Sequence, residues 1–339
     1  MATFSKDSTP NPPQGDDASS ASGQLLNFAG HTCWPDIYEE LQLYILSIMS
    51  LVSAVSIGCT SRTNYNLVQA HLWWRVQSCL RAFNLPEKST LSTMKRIGAI
   101  ISGSAALAVI EPGMFIPQDI DIYVPFGRLE DFVSFIKSLG DFRETVKDDN
   151  EPSYQYSGRQ TGIHTVKYFT HKADGAIVNV VETRSSSTPT AVFMFHSTIV
   201  MNYVTWSTIV CAYPRMTTQH KALINSDANP PTSKTLYCLI KYMARGFDFL
   251  GHANEWDKQH DCRSNGSCGR TIRGITDKAT LRTAFSGGFM EEQDVVDNSL
   301  IWILASAAPC KDDDAVPHTL GFVGTNHFAA VVSDRAQTA

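Results

Sequence analysis

Cysteine and basic charge are both scarce in this sequence. Eight cysteines are spread over 339 residues, at positions 33, 59, 79, 211, 238, 262, 268 and 310. That number is small for a disulfide scaffold of this length, and no secretory leader opens the chain, so we expect a reducing location, cytoplasmic or nuclear. The net charge is −5, so the composition does not indicate a nucleic-acid partner.

Charge is absent altogether from Leu41–Cys59, an apolar run about as long as one membrane span. The run carries a polar stripe of serines at positions 47, 50, 53 and 56, and no Lys or Arg lies close to either end to set an orientation. A pair of packed helices with a break in the serine-rich middle accounts for the same residues. We therefore expect helices here rather than a membrane anchor.

Composition divides the chain into four parts. Residues 1–33 are rich in Ser, Pro, Asp and Gly and are predicted to be a disordered tail. Residues 34–84 are predicted to form a helical module, and Pro86–Thr93 reads as a polar linker. A larger domain is predicted over 95–290, followed by a peripheral, helical segment over 291–339.

The central stretch, Ile100–Pro125, combines the features of a phosphate and metal site. A buried strand is predicted over Ile97–Ile101, and Gly103-Ser104 then supplies a tight turn with free backbone N–H groups. Asp119 and Asp121 lie in the next predicted strand, where side chains two apart share a face. Two such carboxylates repel each other unless a cation lies between them, and Mg²⁺ prefers oxygen ligands of this kind together with substrate phosphates.

This pattern resembles the nucleotidyltransferase superfamily of the DNA polymerase beta type, over roughly residues 95–181. Gly103, Ser104, Asp119 and Asp121 match its Gly-Ser and Asp-x-Asp positions. The resemblance implies an α+β fold, with a nucleotidyltransferase-like mixed sheet and flanking helices. It also implies that Gly103 and Ser104 bind a nucleoside triphosphate, and that Asp119 and Asp121 are catalytic and bind Mg²⁺, or Mn²⁺ in its place.

Active members of that superfamily carry a third carboxylate on a later strand, here predicted over Ala176–Glu182. The matching position holds Asn179, which offers a carbonyl oxygen but neither charge nor base. Glu182 faces the other way in a regular strand, and a bulge would be needed to bring it round. Two functions therefore stay open: a nucleotidyltransferase acting on an unknown acceptor, or a catalytically decayed fold that acts as a binding or adaptor protein.

The N-terminal module also resembles an F-box, the helical element that docks on the adaptor subunit of a cullin ubiquitin ligase. The resemblance rests on Trp34-Pro35, on Ser61-Arg62 and on apolar positions at 41, 45, 46, 51, 55, 59, 67 and 68. Trp34 stands where that pattern usually has Leu. The alternative is a helical layer that simply packs on the central domain.

Periodicity predicts the elements around the site. An amphipathic helix is expected over Arg128–Leu139, a loop over Asp141–Gly162, and a hairpin from Ile163–Thr170 and Ala176–Glu182. A helix is expected over Ser233–Leu250. Its cations, Lys234, Lys241 and Arg245, form either a solvated face or a phosphate-facing one.

A last cluster, His260, Cys262 and Cys268, offers three zinc ligands, with His252 as the candidate fourth. The spacing departs from the usual C-x₂-C, so unliganded loop residues remain the alternative.

Overall fold

The computed structural model describes residues 34–146, 162–226, 230–262, 264–269, 271–285, 299–305 and 322–325. The chain divides into two compact units, Met1–Gln42 and Leu43–Ala339. In the first, a 3-10 turn at Trp34–Asp36 is held by Gln42, whose Nε2 donates to the Trp34 carbonyl at 2.7 Å. The predicted tail lies outside the described residues.

The helices and strands are numbered along the chain. The helices are α1 (Glu39–Ile48), α2 (Leu51–Gly58), α3 (Arg62–Ala82), α4 (Glu87–Ile97), α5 (Gly103–Ile110), α6 (Leu129–Ser138), α7 (Pro214–Thr218), α8 (Ser233–Met243) and α9 (Ala253–Trp256). The strands are β1 (Ile100–Ser102), β2 (Asp119–Val124), β3 (Phe142–Thr145), β4 (Ile163–His171), β5 (Ile177–Thr183), β6 (Asn202–Val204), β7 (Thr208–Cys211), β8 (Lys221–Leu223), β9 (Asp248–Leu250), β10 (Arg273–Gly274), β11 (Leu281–Ala284), β12 (Leu300–Ile303) and β13 (Phe322–Thr325).

Eight of the described strands form one mixed sheet in the order β11-β7-β6-β1-β2-β5-β4-β3. Within it β2 and β5 run parallel, and the other neighbouring pairs run antiparallel. Helices α5 and α6 pack against these strands with fully buried side chains, among them Leu107, Phe132 and Ile136. The predicted α+β class, a mixed sheet with flanking helices preceded by a helical segment, is confirmed.

Serine side chains divide the apolar N-terminal run into separate helices. The Ser50 hydroxyl accepts from the backbone N–H of Ser53 at 3.1 Å and caps α2, and Ser61 caps α3 in the same way. The predicted break in the serine-rich middle is therefore present. In the described part of the chain, no helix combines the length and the apolar character needed to cross a membrane.

A buried arginine on α3, Arg75, links the end of α1 and the residues before α2 to helix α5. The Arg75 guanidinium donates to the carbonyls of Leu46 at 2.5 Å, Met49 at 2.6 Å and Val109 at 3.1 Å. Glu111 lies nearby, and burial raises the pKa of its carboxyl to about 7, while the charge of Arg75 and a bond from Thr218 oppose that rise. Helices α2 and α3 thus belong to the same compact unit as the sheet.

The predicted linker over Pro86–Thr93 is wrong, because those residues begin α4. Leu91, Met94 and Ile97 are buried along one face of this helix, and Gly98 ends it in the left-handed region with φ 75°. Ile97 is therefore helical, and the predicted strand starts only at Ile100.

Other predicted elements differ in length or in type. The β4/β5 hairpin and α6 are present, but the predicted loop contains β3, and residues 147–161 lie outside the described part. The helix predicted over Ser233–Leu250 ends at Met243, and β9 follows and pairs in parallel with β8. Within 291–339, expected to be helical, the described residues form two strands, and Trp302 is fully buried.

Candidate functional site

The turn from β1 into α5 requires glycine at position 103. Gly103 has φ +67°, a region that side chains disfavour, and a Cβ there would lie 2.6 Å from Oδ2 of Asp121. Ser102 precedes the helix without capping it, since its hydroxyl donates instead to the Asn202 carbonyl at 2.6 Å. The first backbone N–H groups of α5 therefore have no side-chain acceptor from the preceding residue, as an anion-binding helix start requires.

Two carboxylates lie on the strand next to this turn. Asp119 and Asp121 are half-buried on one face of β2, while Ile120 and Ile122 are fully buried on the other. Antiparallel pairing sets Asp121 opposite Ser102, directly before the glycine turn. The Ser104 hydroxyl lies 3.4 Å from Oδ1 of Asp119, a long contact. The four residues predicted from the sequence are thus brought together.

Asn179 joins the two carboxylates from the parallel strand β5. The register sets Asn179 opposite Asp121. Its amide Nδ2 donates to Oδ1 of Asp121 at 2.9 Å and to Oδ2 of Asp119 at 3.2 Å. One neutral amide group therefore offsets part of the repulsion between two negative charges, which is what a bound cation would otherwise do.

The side chain of Asn179 also leaves one atom unsatisfied. Its Oδ1 is buried and has no hydrogen-bond partner among the described residues. A buried amide oxygen without a donor is costly, and it is a ligand that Mg²⁺ accepts. The paired carboxylates and the side-chain-free space at Gly103 are compatible with one divalent cation, which would take the place of the Nδ2 donation, and rotation of the amide by 180° would then bring Oδ1 to the cation.

Glu182, considered from the sequence, and Asp174, which precedes β5, both have other hydrogen-bond partners. Glu182 is opposite Val124 at the far end of β2, and its Oε1 accepts from the backbone N–H of Gly127 at 2.8 Å. The described strand β5 has no bulge against β2 that would turn it round. Asp174 lies in the β4/β5 turn, where bonds from Ala176 N–H, Asn84 and His171 lower the pKa of its carboxyl to about 2. In the described ranges no third carboxylate, imidazole or thiol completes a three-ligand group with Asp119 and Asp121.

Two tyrosines, which no sequence motif indicated, lie within range of the carboxylate charges. Burial raises the pKa of Tyr242 on α8, and the charges of Asp121 and Asp119 raise it further. Burial and then the charge of Asp121 raise the pKa of Tyr168 on β4. Tyrosines are common in protein cores, so the chain alone gives no signal that would single these two out.

Arg245, the last cation of the predicted α8 face, lies beside Tyr242. Its guanidinium carbon is 5.1 Å from the centre of the Tyr242 ring and 4.2 Å from that of Phe115. Its Nη1 is buried and has no hydrogen-bond partner within the described residues. A buried donor that carries positive charge and has no partner in the described residues is suited to a phosphate group.

No protein-family model matches the sequence, and no curated protein matches it. Among solved structures, that of a CCA-adding enzyme in an apo form matches with a TM-score of 0.35 and 13% identity. The match covers 54% of this chain and 44% of that one. A likeness this weak assigns neither family nor activity, so the function must be argued from the residues.

A separate cavity of about 730 Å³ opens at the opposite end of β1 and β2. It is bordered by Gly98 and Pro125 and carries basic and aromatic side chains, with Lys95 Nζ 4.0 Å from the Trp206 ring centre. None of Gly103, Ser104, Asp119 and Asp121 lines it. The carboxylate site is therefore a surface at the start of β2 and not part of that cavity.

Proposed function

We propose that this chain binds a nucleoside triphosphate together with Mg²⁺ at Gly103, Ser104, Asp119 and Asp121, and that Asn179 limits nucleotidyl transfer to an acceptor. The observation that carries the proposal is the Asn179 amide, which donates to both carboxylates from the position where a third would complete the site. Mn²⁺ would take the same ligands.

Each residue has a separate part in binding. The N–H groups at the start of α5 and the Ser104 hydroxyl donate to the terminal phosphates, and Arg245, just after the end of α8, supplies positive charge. Asp119 and Asp121 hold the divalent cation, which lowers the repulsion between the phosphates and these carboxylates. The missing Cβ of Gly103 keeps Asp121 and the helix start accessible to the same ligand.

Transfer requires a further step that the site supports less well. An acceptor hydroxyl would attack the α-phosphate in line, pyrophosphate would leave, and the hydroxyl proton would have to pass to a base. Asn179 cannot accept that proton, so the task falls to Asp119 or Asp121, whose lone pairs also serve the cation. Binding is therefore retained more fully than catalysis.

The second candidate is a decayed nucleotidyltransferase fold that acts as a binding or adaptor protein, and Asn179 also favours it. Docking of residues 34–84 on the adaptor subunit of a cullin ubiquitin ligase stays a prediction. In the described part of that segment, Leu51, Leu72 and Val76 are fully buried. These apolar side chains already serve the internal packing of α2 and α3, as the helical-layer alternative requires.

Calorimetric titration of ATP, CTP, GTP and UTP into the protein, with and without Mg²⁺, tests the proposal. We expect Mg²⁺-dependent binding of at least one nucleotide, abolished in the double variant Asp119→Asn, Asp121→Asn. Asp174→Asn is the matched control, since it neutralises an exposed carboxylate whose hydrogen bonds go to Asn84, His171 and Ala176 and not to the residues of the site. Unchanged binding in the double variant, or binding to no nucleotide, would remove the proposal.

A further inference from the structure

A cluster of two thiols and one imidazole lies in the segment that follows α9. The ligand atoms of His260, Cys262 and Cys268 all lie within 4.8 Å of one another. His260 and Cys268 are 3% and 1% exposed, and Cys262 is partly exposed. Cys262 and Cys268 do not form a disulfide. The structure thus gathers three strong ligands in one place.

The histidine is oriented as a metal ligand should be. Its Nδ1 lies 2.6 Å from the carbonyl oxygen of Asp257. Because a carbonyl oxygen only accepts, Nδ1 carries the proton and Nε2 keeps its lone pair. That Nε2 lies 3.6 Å from Sγ of Cys262. A backbone carbonyl that fixes the tautomer in this way is the usual outer support of a metal-bound imidazole.

The segment has little apolar packing to hold it in shape. Between α9 and β10 the described residues form turns, such as Cys268 N–H to Asn265 O at 3.0 Å, and the local apolar cluster consists of Ala253 and Cys268 with Cys262 beside them. So small a cluster buries too little apolar surface to offset the ordering entropy of a segment this long. An additional stabilising contact is therefore expected here.

We propose that His260, Cys262 and Cys268 bind a zinc ion. Thiolate and imidazole donors select zinc over Mg²⁺ or Ca²⁺, which prefer oxygen ligands. His252, the fourth ligand suggested by the sequence, is not in the group, so among the described residues the fourth position of a tetrahedral site is left to water or a solute. This site is independent of the carboxylate site on β2.

The ion would stabilise more than its own loop. Gly266, which lies between the two cysteines, accepts a bond from Nη1 of Arg273 at 2.5 Å. The Arg273 guanidinium is buried, with its carbon 4.7 Å from the Tyr213 ring centre and 5.2 Å from that of Trp302. A metal that holds this loop in place therefore also holds the Gly266 carbonyl, which accepts the hydrogen bond of the buried Arg273 side chain.

The test uses the full chain, purified under reducing conditions, stripped with a chelator and titrated with Zn²⁺ alone. We expect about one zinc per chain and a higher thermal unfolding temperature with zinc than without. Cys268→Ser and His260→Ala should each weaken zinc binding at least about 100-fold, because even loss of an outer support costs 10–100-fold. Cys59→Ser, at an exposed free cysteine, should bind zinc like the unchanged chain.

Cobalt provides a second measurement that does not depend on the variants folding. Co²⁺ added to the unchanged chain should give the absorption of a tetrahedral site with thiolate charge-transfer bands, and Zn²⁺ should displace it. Absence of that spectrum together with absence of bound zinc would overturn the proposal. Equal zinc content in the unchanged chain and in both ligand variants would also overturn it. So would a disulfide between Cys262 and Cys268, detected as resistance of both thiols to alkylation under non-reducing conditions.

Discussion

Replacing Asn179 by Asp exchanges the amide NH2 group between the two carboxylates for an oxygen atom. The variant loses the two amide donations to Asp119 and Asp121, at 3.2 and 2.9 Å. A hydrogen bond to a charged group contributes about 1.5–3 kcal/mol, so the two together contribute about 3–6 kcal/mol. The new carboxylate also adds a third negative charge, at a position only 3% exposed. Without a cation, we therefore expect a fall of at least about 3 kcal/mol in the free energy of unfolding.

Mg²⁺ should reverse most of this loss, because three carboxylates bind a divalent cation more tightly than two. A ligand present at 100 times its Kd stabilises the native state by about 2.7 kcal/mol. The assay is urea denaturation of the unchanged chain and of Asn179→Asp, each with chelator and with saturating Mg²⁺. We expect the gain from Mg²⁺ to be larger in the variant, and pyrophosphate release from a nucleoside triphosphate to appear or to increase.

Asn84→Asp is the matched control for this experiment. The Asn84 amide also donates to a carboxylate, that of Asp174 at 2.8 Å, but both side chains are exposed. Solvent screens that pair, so the control should show little change in stability and little response to Mg²⁺. The reasoning is refuted if Asn179→Asp is as stable as the unchanged chain in chelator, or if Mg²⁺ stabilises both to the same extent.

Two further substitutions test the turn and the buried acid. Gly103→Ala should lose nucleotide binding and about 1–2 kcal/mol of stability because of its positive φ, and the contact with the Asp121 carboxylate should add to that loss. Gly140→Ala is the control for the cost of φ alone, since Gly140 has φ +80° and open space around it. Equal losses of stability in the two variants would contradict the argument. Burial raises the pKa of Glu111 from 4.5 to about 7, so the contribution of this residue to stability falls as the pH rises between those values. Over the same range, the free energy of unfolding of Glu111→Gln relative to the unchanged chain should increase by about 3 kcal/mol. Burial lowers the pKa values of His71 and His196 to about 4, so these residues make the free energy of unfolding rise with pH. The quantity to measure is therefore the difference in free energy of unfolding between Glu111→Gln and the unchanged chain at each pH. A difference that does not change with pH would contradict the argument.

The residues that the sequence placed correctly are those fixed by short-range geometry. A glycine turn at Gly103 and alternate carboxylates at Asp119 and Asp121 need only the local period of a strand and the start of a helix. The hairpin and α6 followed from the same periodicities. Asn179 was assigned to the site by resemblance, and the parallel register of β2 and β5 brings its side chain there.

The predictions that failed depended on contacts distant in sequence. The Ser/Thr-rich start of α4 has the composition of a linker, but burial of Leu91 and Met94 makes it part of a packed helix. The helix α8 ends at Met243 because Gly246 turns the chain with φ +90° and β9 pairs with β8, neither of which a helical period reveals. The packing of α8 brings Tyr242 within range of the carboxylate charges, and no short pattern encodes that packing.

The parallel pairing of β2 with β5 also determines when the site can assemble. Gly103, Ser104 and the two aspartates come from one local stretch, but Asn179 lies 60 residues after Asp119 and 58 after Asp121. Closing so long a loop costs entropy before any native contact repays it, and pairings of this kind form slowly. We therefore expect the carboxylates to become adjacent to each other before the amide arrives, so that docking of β5 is the step at which their repulsion is relieved.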